Sequence, residues 1–383
     1  MLIKKIFAVI TIIMLTSVSV SAVSMPNVSA KSAIVINGKT GEIVMEKDAD
    51  QKRSMASTTK IMTAVLAAES GRMDDVVNVT AEMTGAEGTS IGLKAGYKIT
   101  LCSLVYGLML ESGNDAANAI AIFLAGSKQN FANLMNSKAK QIGMTNTNFV
   151  TPSGLDDENH YTTARDMAIL GAYAIKNPLF KQICSTKSQR VDFIEPDICV
   201  TFSNHNRLLR AYDGAIGIKT GFTKKSGRCL VSAAERNGIS FVAVTLSAGD
   251  DWNDHRKMLD EAFSSANIDD IYPRIQQTVK LFGSSKASVS VKAANYPYRY
   301  YSNGQKRRIT QKVYLPKFVY APISAGDKVG FINYYCDGKL IATDSIIADE
   351  SAESVEPTYT PKISMMETIR NKIYNFLHKK QAN

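Results

Sequence analysis

The alternation of apolar and polar residues divides the chain into segments of two kinds. Residues 32–37 and 42–46 are rich in strand-forming residues and flank Asn37-Gly38, a pattern that predicts a β-hairpin. Farther along, apolar residues recur at steps of three and four, as they do on the buried face of a helix. On this basis helices are predicted over residues 57–70, 101–111, 115–125, 129–142 and 162–175.

After Pro196 the pattern changes to strands, followed by one more helix. Asn237-Gly238 predicts a tight hairpin turn between two of these strands. We therefore expect an α+β domain over residues 31–267, with one antiparallel sheet drawn from both of its ends and a helical block inserted between them. The strands are predicted at 214–220, 228–234 and 239–246, and the helix, expected to pack back on the sheet, at 254–264.

Beyond about residue 275 the pattern predicts strands alone. A small all-β domain is expected over residues 275–348, and Asp337-Gly338 is predicted to turn its last hairpin. Residues 351–361 are acidic and contain Ser, Thr and Pro, a composition typical of a linker. The strands of this domain are predicted at 278–282, 287–293, 312–315, 329–335 and 340–347.

The last predicted element is an amphipathic helix over residues 362–380. Ile363, Met366, Ile369 and Ile373 follow steps of three and four, and lysines and arginines surround them. A basic amphipathic helix behind a linker favours attachment to a membrane surface. Docking of the same helix on the protein itself is the alternative that the sequence leaves open.

The first 22 residues have the plan of a cleaved secretory signal peptide. Lys4 and Lys5 precede an apolar run from Ile6 to Leu15, and Val20-Ser21-Ala22 supplies small residues for cleavage. Val28-Ser29-Ala30 offers an alternative end at residue 30, and an uncleaved anchor is a second alternative. A signal at one end and a surface helix at the other predict a protein on the outer face of the cytoplasmic membrane.

Composition narrows the possible functions. Of the 383 residues, 45% are hydrophobic and 21% are charged, as in ordinary globular proteins. The net charge of +10 suits nucleic acid, an anionic membrane or a cell-wall polymer, but export argues against nucleic acid. The five cysteines and four histidines show no ligand spacing, so neither a metal nor a cofactor is expected. One disulfide stays open as an alternative to buried thiols.

The first candidate for chemistry lies at the start of the first helix, where Lys60 follows Ser57 by one turn. The two side chains share a face, and a lysine whose pKa is lowered can take the proton of a serine nucleophile. The helix N-terminus adds N–H groups where negative charge develops on an attacked carbonyl. The motif is short, and Ser137-x-x-Lys140 shows that chance also produces it.

Two further motifs follow in chain order. Ser112-Gly113-Asn114 interrupts an apolar helix and can aim a hydroxyl and an amide into a cleft. Lys219-Thr220-Gly221 lies at the end of a predicted strand, and an edge strand there could pair with an extended peptide. Its glycine permits close approach, and its lysine and threonine suit a terminal carboxylate. Lys39-Thr40-Gly41 and Ser265-x-Asn267 match single motifs but break the order.

Ser-x-x-Lys, Ser-x-Asn and Lys-Thr-Gly in this order mark serine β-lactamases and penicillin-binding proteins. Residues 110–117, 153–155, 160–168 and 213–221 are also similar to segments typical of one branch. The chain thus resembles the D-alanyl-D-alanine carboxypeptidases, which are low-molecular-mass penicillin-binding proteins. The resemblance implies a DD-peptidase/β-lactamase-like antiparallel sheet with an inserted helical block, a small all-β domain and a C-terminal amphipathic helix on the membrane.

The resemblance also implies an activity, which is removal of the terminal D-alanine from peptidoglycan pentapeptide, with β-lactam antibiotics as inhibitors. Ser57 would be the acylated nucleophile, Lys60 its proton acceptor, and Ser112 the carrier of the proton to the leaving nitrogen. The remaining implied residues bind the amide, the carboxylate or the oxyanion of the substrate. They are Asn114, Lys219, Thr220, Gly221 and Phe222.

Two positions depart from the pattern of some relatives. Phe222 stands where they carry histidine after Lys-Thr-Gly. The backbone N–H of Phe222, implied to form the oxyanion hole with that of Ser57, survives this change. Residues 247–250 stand where some relatives place Gly-Gly-Arg, so no arginine is evident there to help hold the carboxylate.

Two other functions are compatible with the motifs. A class A β-lactamase needs a deacylating glutamate, normally in a Glu-x-x-Leu-Asn stretch, and this sequence contains no such stretch. A catalytically inactive penicillin-binding or cell-wall-sensing protein would keep the fold, but the complete set of motifs argues against it.

Overall fold

The computed structural model describes residues 23–303, 309–355, 366–367 and 369–373. These residues form two compact units, the first comprising residues up to Asp269 together with the stretch from Arg299 to Asn303, and the second comprising the other described residues from Asp270 onward. The predicted signal peptide, and most of the predicted linker and C-terminal helix, lie outside the described residues. Within the described ranges, no helix is long and apolar enough to cross a membrane.

The first unit contains both helices and strands, as predicted. Its helices are α1 (Lys60–Glu69), α2 (Ala81–Thr84), α3 (Leu101–Leu110), α4 (Asn114–Ala125), α5 (Lys128–Ile142), α6 (Ala164–Ala174), α7 (Pro178–Ser185), α8 (Leu208–Ala211) and α9 (Asp251–Ser264). Its strands are β1 (Ser32–Asn37), β2 (Ile43–Lys47), β3 (Val76–Asn78), β4 (Lys98–Thr100), β5 (Ser188–Phe193), β6 (Ile198–Ser203), β7 (Ala215–Thr223), β8 (Gly227–Arg236), β9 (Ile239–Ala248) and β10 (Ala266–Ile271).

Five of these strands form the central antiparallel sheet, in the order β2-β1-β9-β8-β7. β1 pairs with β9, with Ser32 opposite Leu246 and Asn37 opposite Phe241. The two ends of the unit therefore meet in the middle of the sheet, which confirms the predicted topology. The helical block covers one face of the sheet and α9 the other, so the central strands are buried on both faces. β7 is left at the edge.

Side-chain caps set the starts of several helices in the block. Thr100, Ser127, Thr163 and Asn177 each accept a hydrogen bond from a backbone N–H in the first turn of α3, α5, α6 and α7. The helix predicted from residue 162 therefore begins two residues later, after its threonine cap. α7 and the β5–β6 hairpin are not among the predicted elements, although Asn177-Pro178 is a recognisable start signal.

The second unit is all-β, as predicted, and every predicted strand is present. Its six-stranded sheet buries Val289, Ile332 and Ile346 in a separate core. The strands are β11 (Thr278–Phe282), β12 (Ser288–Ala293), β14 (Ile309–Tyr314), β15 (Phe318–Tyr320), β16 (Lys328–Cys336) and β17 (Lys339–Ala348), in the order β14-β16-β17-β12-β11-β15. A further strand, β13 (Tyr298–Asn303), pairs with β10 and belongs, from Arg299 onward, to the first unit.

Candidate active site

Ser57 lies in a 3-10 turn, Ala56–Thr59, that leads directly into α1. The helix predicted from residue 57 therefore becomes an α-helix one turn later, at Lys60. Ala56 has a φ of +47°, and such a conformation costs a residue with a side chain about 1–3 kcal/mol. Its carbonyl packs against Gly154, where an added Cβ would lie 1.9 Å from Ala56 O. Only glycine leaves room for the turn there.

A buried histidine braces the same turn. His160 Nδ1 accepts a hydrogen bond from the Val150 N–H at 2.9 Å, so Nε2 carries the proton and donates to Thr59 Oγ1 at 2.8 Å. The Thr59 hydroxyl in turn donates to Ala56 O at 2.8 Å. Burial lowers the pKa of His160 to about 4, which keeps the ring neutral and this chain of donors intact at neutral pH.

The Lys60 side chain is buried, and its Nζ contacts three oxygen atoms. The distances are 2.9 Å to Ser57 Oγ, 2.7 Å to Asn114 Oδ1 and 2.7 Å to Ser153 O. Burial lowers the pKa of Lys60 well below its ordinary value, and the charge of Lys219 lowers it further. The site therefore places an amine that readily loses its proton beside a serine hydroxyl.

The Ser112-Gly113-Asn114 segment joins α3 to α4, between two helices as predicted. Ser112 has a φ of +64°, and Asn114 opens α4. The Asn114 side chain is anchored at both ends, because Oδ1 accepts from Lys60 Nζ and Nδ2 donates to Glu87 O at 2.5 Å. One of its two amide hydrogens is left for a further acceptor.

Lys219, Thr220 and Gly221 lie in the middle of β7 rather than at its end. The pairing with β8 shifts register between Ala215 and Gly217, and the residue that follows, Ile218, has a φ of +100°. Such bulges re-aim the side chains that follow. Lys219 is buried, its Nζ donates to Thr220 O at 3.0 Å, and burial lowers its pKa to about 7. An added Cβ on Gly221 would lie 2.9 Å from Ser57 N, so this strand runs against the nucleophile turn.

These elements meet at a cleft of about 460 Å³. Of the predicted site residues, five line the cleft and three are buried against it, so the structure brings all of them together. The five are Ser57, Ser112, Thr220, Gly221 and Phe222, and the three are Lys60, Asn114 and Lys219. The remaining lining residues are Thr89, His205, Arg207, Arg228, Asp251 and Trp252.

Arg228 and His160 are at the site without having been predicted to act there. Arg228 lies on β8 directly opposite Phe222, so a residue count across the hairpin that follows Lys-Thr-Gly would have found it. His160 opens the family-like segment 160–168, but that likeness did not indicate its contact with Thr59, which joins positions 101 residues apart.

Other features singled out in the sequence do not belong to the site. Ser137 is exposed on α5, where its hydroxyl donates to Asn133 O. Asn37 Oδ1 accepts from the backbone N–H groups of Lys39 and Thr40, so the early Lys-Thr-Gly is turn chemistry, as predicted. The five cysteines are all free, which answers the open question of a disulfide.

The sheet with its inserted helical block, joined in sequence to a small all-β unit, is the fold of the DD-peptidases. A family model described as D-alanyl-D-alanine carboxypeptidase matches residues 19–250, and a model of the C-terminal domain of penicillin-binding protein 5 matches residues 269–354. The chain belongs to the D-alanyl-D-alanine carboxypeptidase family, peptidase family S11. The predictions of this family and of an enzyme are thereby confirmed.

Individual relatives show the same likeness over most of their length. The chain is 30% identical over 334 residues to D-alanyl-D-alanine carboxypeptidase DacF of Bacillus subtilis, covering 84% of this chain and 85% of that protein. It is 32% identical over 350 residues to DacC of Escherichia coli, covering 86% of each. The crystal structure of penicillin-binding protein 5 from Haemophilus influenzae matches with a TM-score of 0.62 at 27% identity, over 86% of this chain and 99% of that one.

Proposed function

We propose that this protein is a serine carboxypeptidase that removes the terminal D-alanine from peptidoglycan pentapeptide through an acyl-enzyme on Ser57, and that penicillin acylates the same serine. The observation that carries the proposal is the set of contacts at Lys60 Nζ. Asn114 Oδ1 and Ser153 O are carbonyl oxygens, which can only accept hydrogen bonds. Ser57 Oγ can either donate or accept.

A neutral amine matches these contacts. Its two N–H bonds serve the two carbonyl oxygens, and its lone pair is left for the hydroxyl proton of Ser57. An ammonium would donate to all three oxygens and could not accept that proton. Burial and the charge of Lys219 both favour the neutral form of Lys60. Lys60 is therefore suited to act as the general base when Ser57 attacks.

In the proposed acylation, Ser57 Oγ attacks the carbonyl carbon between the two D-alanines while its proton passes to Lys60. The N–H groups of Ser57 and Phe222 stabilise the oxyanion. The proton then reaches the departing nitrogen through Ser112, the C–N bond breaks, and D-alanine leaves. Water hydrolyses the ester in a second step, which restores the Ser57 hydroxyl and releases the shortened peptide.

The proposed substrate pose follows from β7. An extended peptide can pair with this edge strand, and Gly221 lets the peptide backbone approach the nucleophile turn. Lys219 and Thr220 would then face the terminal carboxylate, and the remaining amide hydrogen of Asn114 would bind a substrate carbonyl.

The proposal is tested by incubating the protein with a pentapeptide that ends in D-Ala-D-Ala and separating the products by chromatography. One D-alanine should be released per peptide, and the tetrapeptide should then remain uncut. Absence of D-alanine release would refute the proposal. Rapid catalytic turnover of penicillin would instead favour a β-lactamase.

We also propose that the C-terminal helix holds the enzyme on the outer face of the membrane. Within the described part of this segment, residues 369–373 are helical, and the exposed Ile369 and Ile373 share a face. Replacing both isoleucines with aspartate should lower binding to phosphatidylglycerol vesicles at least about tenfold, because two apolar side chains that would be buried in the membrane are lost. Co-sedimentation measures this, and Ile194→Asp, at an exposed isoleucine elsewhere, is the control. Unchanged binding of the double variant would contradict the proposal.

Signal cleavage is proposed to follow Ala22 rather than Ala30. The N–H and hydroxyl of Ser29 both donate to the buried carboxylate of Asp254, at 2.9 and 2.7 Å, and Val28 is buried in the core beside α9. Cleavage after residue 30 would remove these contacts from the folded protein. N-terminal sequencing of the exported protein should begin at Val23, and a start at Lys31 would show that the later site is used.

A further inference from the structure

A substrate that ends in a carboxylate needs a positive partner in the cleft, and Lys219 alone is poorly suited to be that partner. Its Nζ already donates to Thr220 O, and burial lowers its pKa to about 7. In the free enzyme Lys219 therefore loses its proton more readily near neutral pH than an ordinary lysine does. Steady recognition of an anion calls for a cation that keeps its charge.

Arg228 is placed to supply that cation. It lies opposite Phe222 of β7 and opposite Ala248 of β9. Directly opposed residues in antiparallel strands share a face of the sheet, as do residues two apart along one strand. Arg228, Phe222 and Thr220 therefore project from one face, and all three line the cleft together with Ser57. Diagonal neighbours such as Arg228 and Thr220 stand about 7–8 Å apart, which an arginine side chain can span.

Asp251 orients the guanidinium of Arg228 without occupying its hydrogen-bond donors. Its Nη1 lies 3.6 Å from Asp251 Oδ1, beyond hydrogen-bonding distance, and 53% of the arginine side chain is exposed. Asp251 is buried in the first turn of α9, and this oxygen has no hydrogen-bond partner among the described residues. The ion pair restrains the guanidinium at the cleft and leaves its N–H groups available to a ligand.

We propose that Arg228, together with Thr220, recognises the C-terminal carboxylate of the substrate, and that Asp251 is its positioning residue. The proposal rests on the function proposed above and deepens it. A guanidinium presents two parallel N–H groups to a carboxylate and keeps its charge throughout the range around neutral pH. Gly249-Asp250, which contains no arginine, follows β9, and in this chain the arginine at the cleft comes from the adjacent strand β8.

The consequence is a requirement for a free chain end. A peptide whose terminal carboxylate lies against Arg228 places its last amide bond at Ser57, whereas a chain that continues past this point lacks the charge that Arg228 binds. Arg228 would thus make the enzyme a carboxypeptidase rather than an endopeptidase.

The test compares two N-acylated peptides that differ only at the end, one with D-Ala-D-Ala carboxylate and one with D-Ala-D-Ala carboxamide. Both give the same shortened peptide, whose formation is followed by chromatography with mass detection. Loss of one charge-assisted contact in Arg228→Gln should lower kcat/KM for the carboxylate about 10- to 100-fold. The value for the carboxamide should stay within about threefold, so the preference for the carboxylate collapses. Arg228→Lys should restore part of it, because a lysine keeps the charge but loses the paired N–H groups.

Arg236→Gln is the matched control, since Arg236 lies at the other end of β8 and pairs with Asp213. It should keep the wild-type preference. Retention of that preference by Arg228→Gln, or an equal loss on both peptides, would overturn the proposal. If the preference for the carboxylate peptide were lost in Arg207→Gln and kept in Arg228→Gln, Arg207 would be the residue that binds the carboxylate.

Two checks separate the proposed role of Arg228 from the proposed carboxypeptidase function on which it rests. The wild-type protein must cleave the carboxylate peptide, and failure there would refute the proposed function itself. Arg228→Gln must still form the penicillin adduct on Ser57 at saturating penicillin and keep the wild-type Tm. With both satisfied, the ratio of the two kcat/KM values reports on Arg228 alone.

Discussion

Replacing Ser57 with alanine is expected to abolish D-alanine release and the covalent penicillin adduct while the protein stays folded. The hydroxyl oxygen is the atom that would form the ester, and Ser57 is the only described residue whose hydroxyl contacts Lys60 Nζ. Removing the nucleophile of a serine hydrolase lowers kcat by about 10⁴-fold or more. Peptide mass spectrometry after penicillin treatment, together with the rate of D-alanine release, measures both losses.

The chain provides a matched control in Ser137→Ala. This serine also precedes a lysine by three positions, but it is exposed on α5 and its hydroxyl donates to Asn133 O. The Ser137 variant should retain wild-type release and the full adduct. The proposed mechanism would be contradicted if Ser57→Ala released D-alanine as fast as the wild type. It would also be contradicted if the penicillin adduct were lost in Ser137→Ala.

The three motifs predicted the site well because each lies on an element whose type the local sequence determines. Apolar periodicity placed Ser112 between two helices and Lys219 on a strand, and both are confirmed. The pairing of β1 with β9 also followed from the strand-rich segments at the two ends of the domain. Chain order then indicated which copies of each short motif meet.

Backbone strain at the site was invisible in the sequence. Ala56, Ser112 and Ile218 all have positive φ, at +47°, +64° and +100°, and none is a glycine. Local preference opposes these conformations, each of which costs about 1–3 kcal/mol. They are held by tertiary contacts, such as the packing of Gly154 on Ala56 O, that no local pattern encodes. The strained residues either carry or immediately precede the predicted catalytic and binding groups.

The sequence analysis also did not predict two contacts made when strands and loops pack together. The His160–Thr59 hydrogen bond joins the nucleophile turn to a loop far along the chain. Arg228 reaches the cleft through the pairing of β7 with β8, where it lies opposite Phe222 across a hairpin whose turn residues were not predicted. The His160–Thr59 contact and the position of Arg228 both result from the packing of strands and loops, and the three motifs do not predict either one.

The two buried lysines affect each other through their charges. The charge of Lys219 lowers the pKa of Lys60, and this helps Lys60 to serve as a base. The pKa of Lys219 is itself lowered because its side chain is buried. Binding of a substrate carboxylate would favour the charged form of Lys219. The charged form of Lys219 therefore destabilises the free protein, and a bound carboxylate would reduce that cost.

Lys219→Met is accordingly expected to weaken catalysis and to strengthen the fold. D-alanine release should fall by about 100-fold or more, since the pKa of Lys60 moves back toward its ordinary value and the carboxylate loses the positive charge that Lys219 adds to that of Arg228. At pH 6 the free energy of unfolding should rise by about 1–3 kcal/mol, because a buried charge is replaced by an apolar side chain of similar volume. Thermal unfolding and D-alanine release, measured on the same preparations, test both effects.

The stability gain should depend on pH in a defined direction. The pKa of Lys219 is 10.5 in the unfolded chain and about 7 in the folded protein. Below pH 7 both states carry the proton, so the wild-type fold bears the full cost of burying the charge. Between pH 7 and 10.5 the unfolded state binds more protons, so wild-type stability rises with pH and the advantage of the variant shrinks. Lys225→Met, at an exposed lysine in the β7–β8 turn, should show no such dependence. A Lys219→Met advantage that is constant with pH would mean that Lys219 is not buried as a charge.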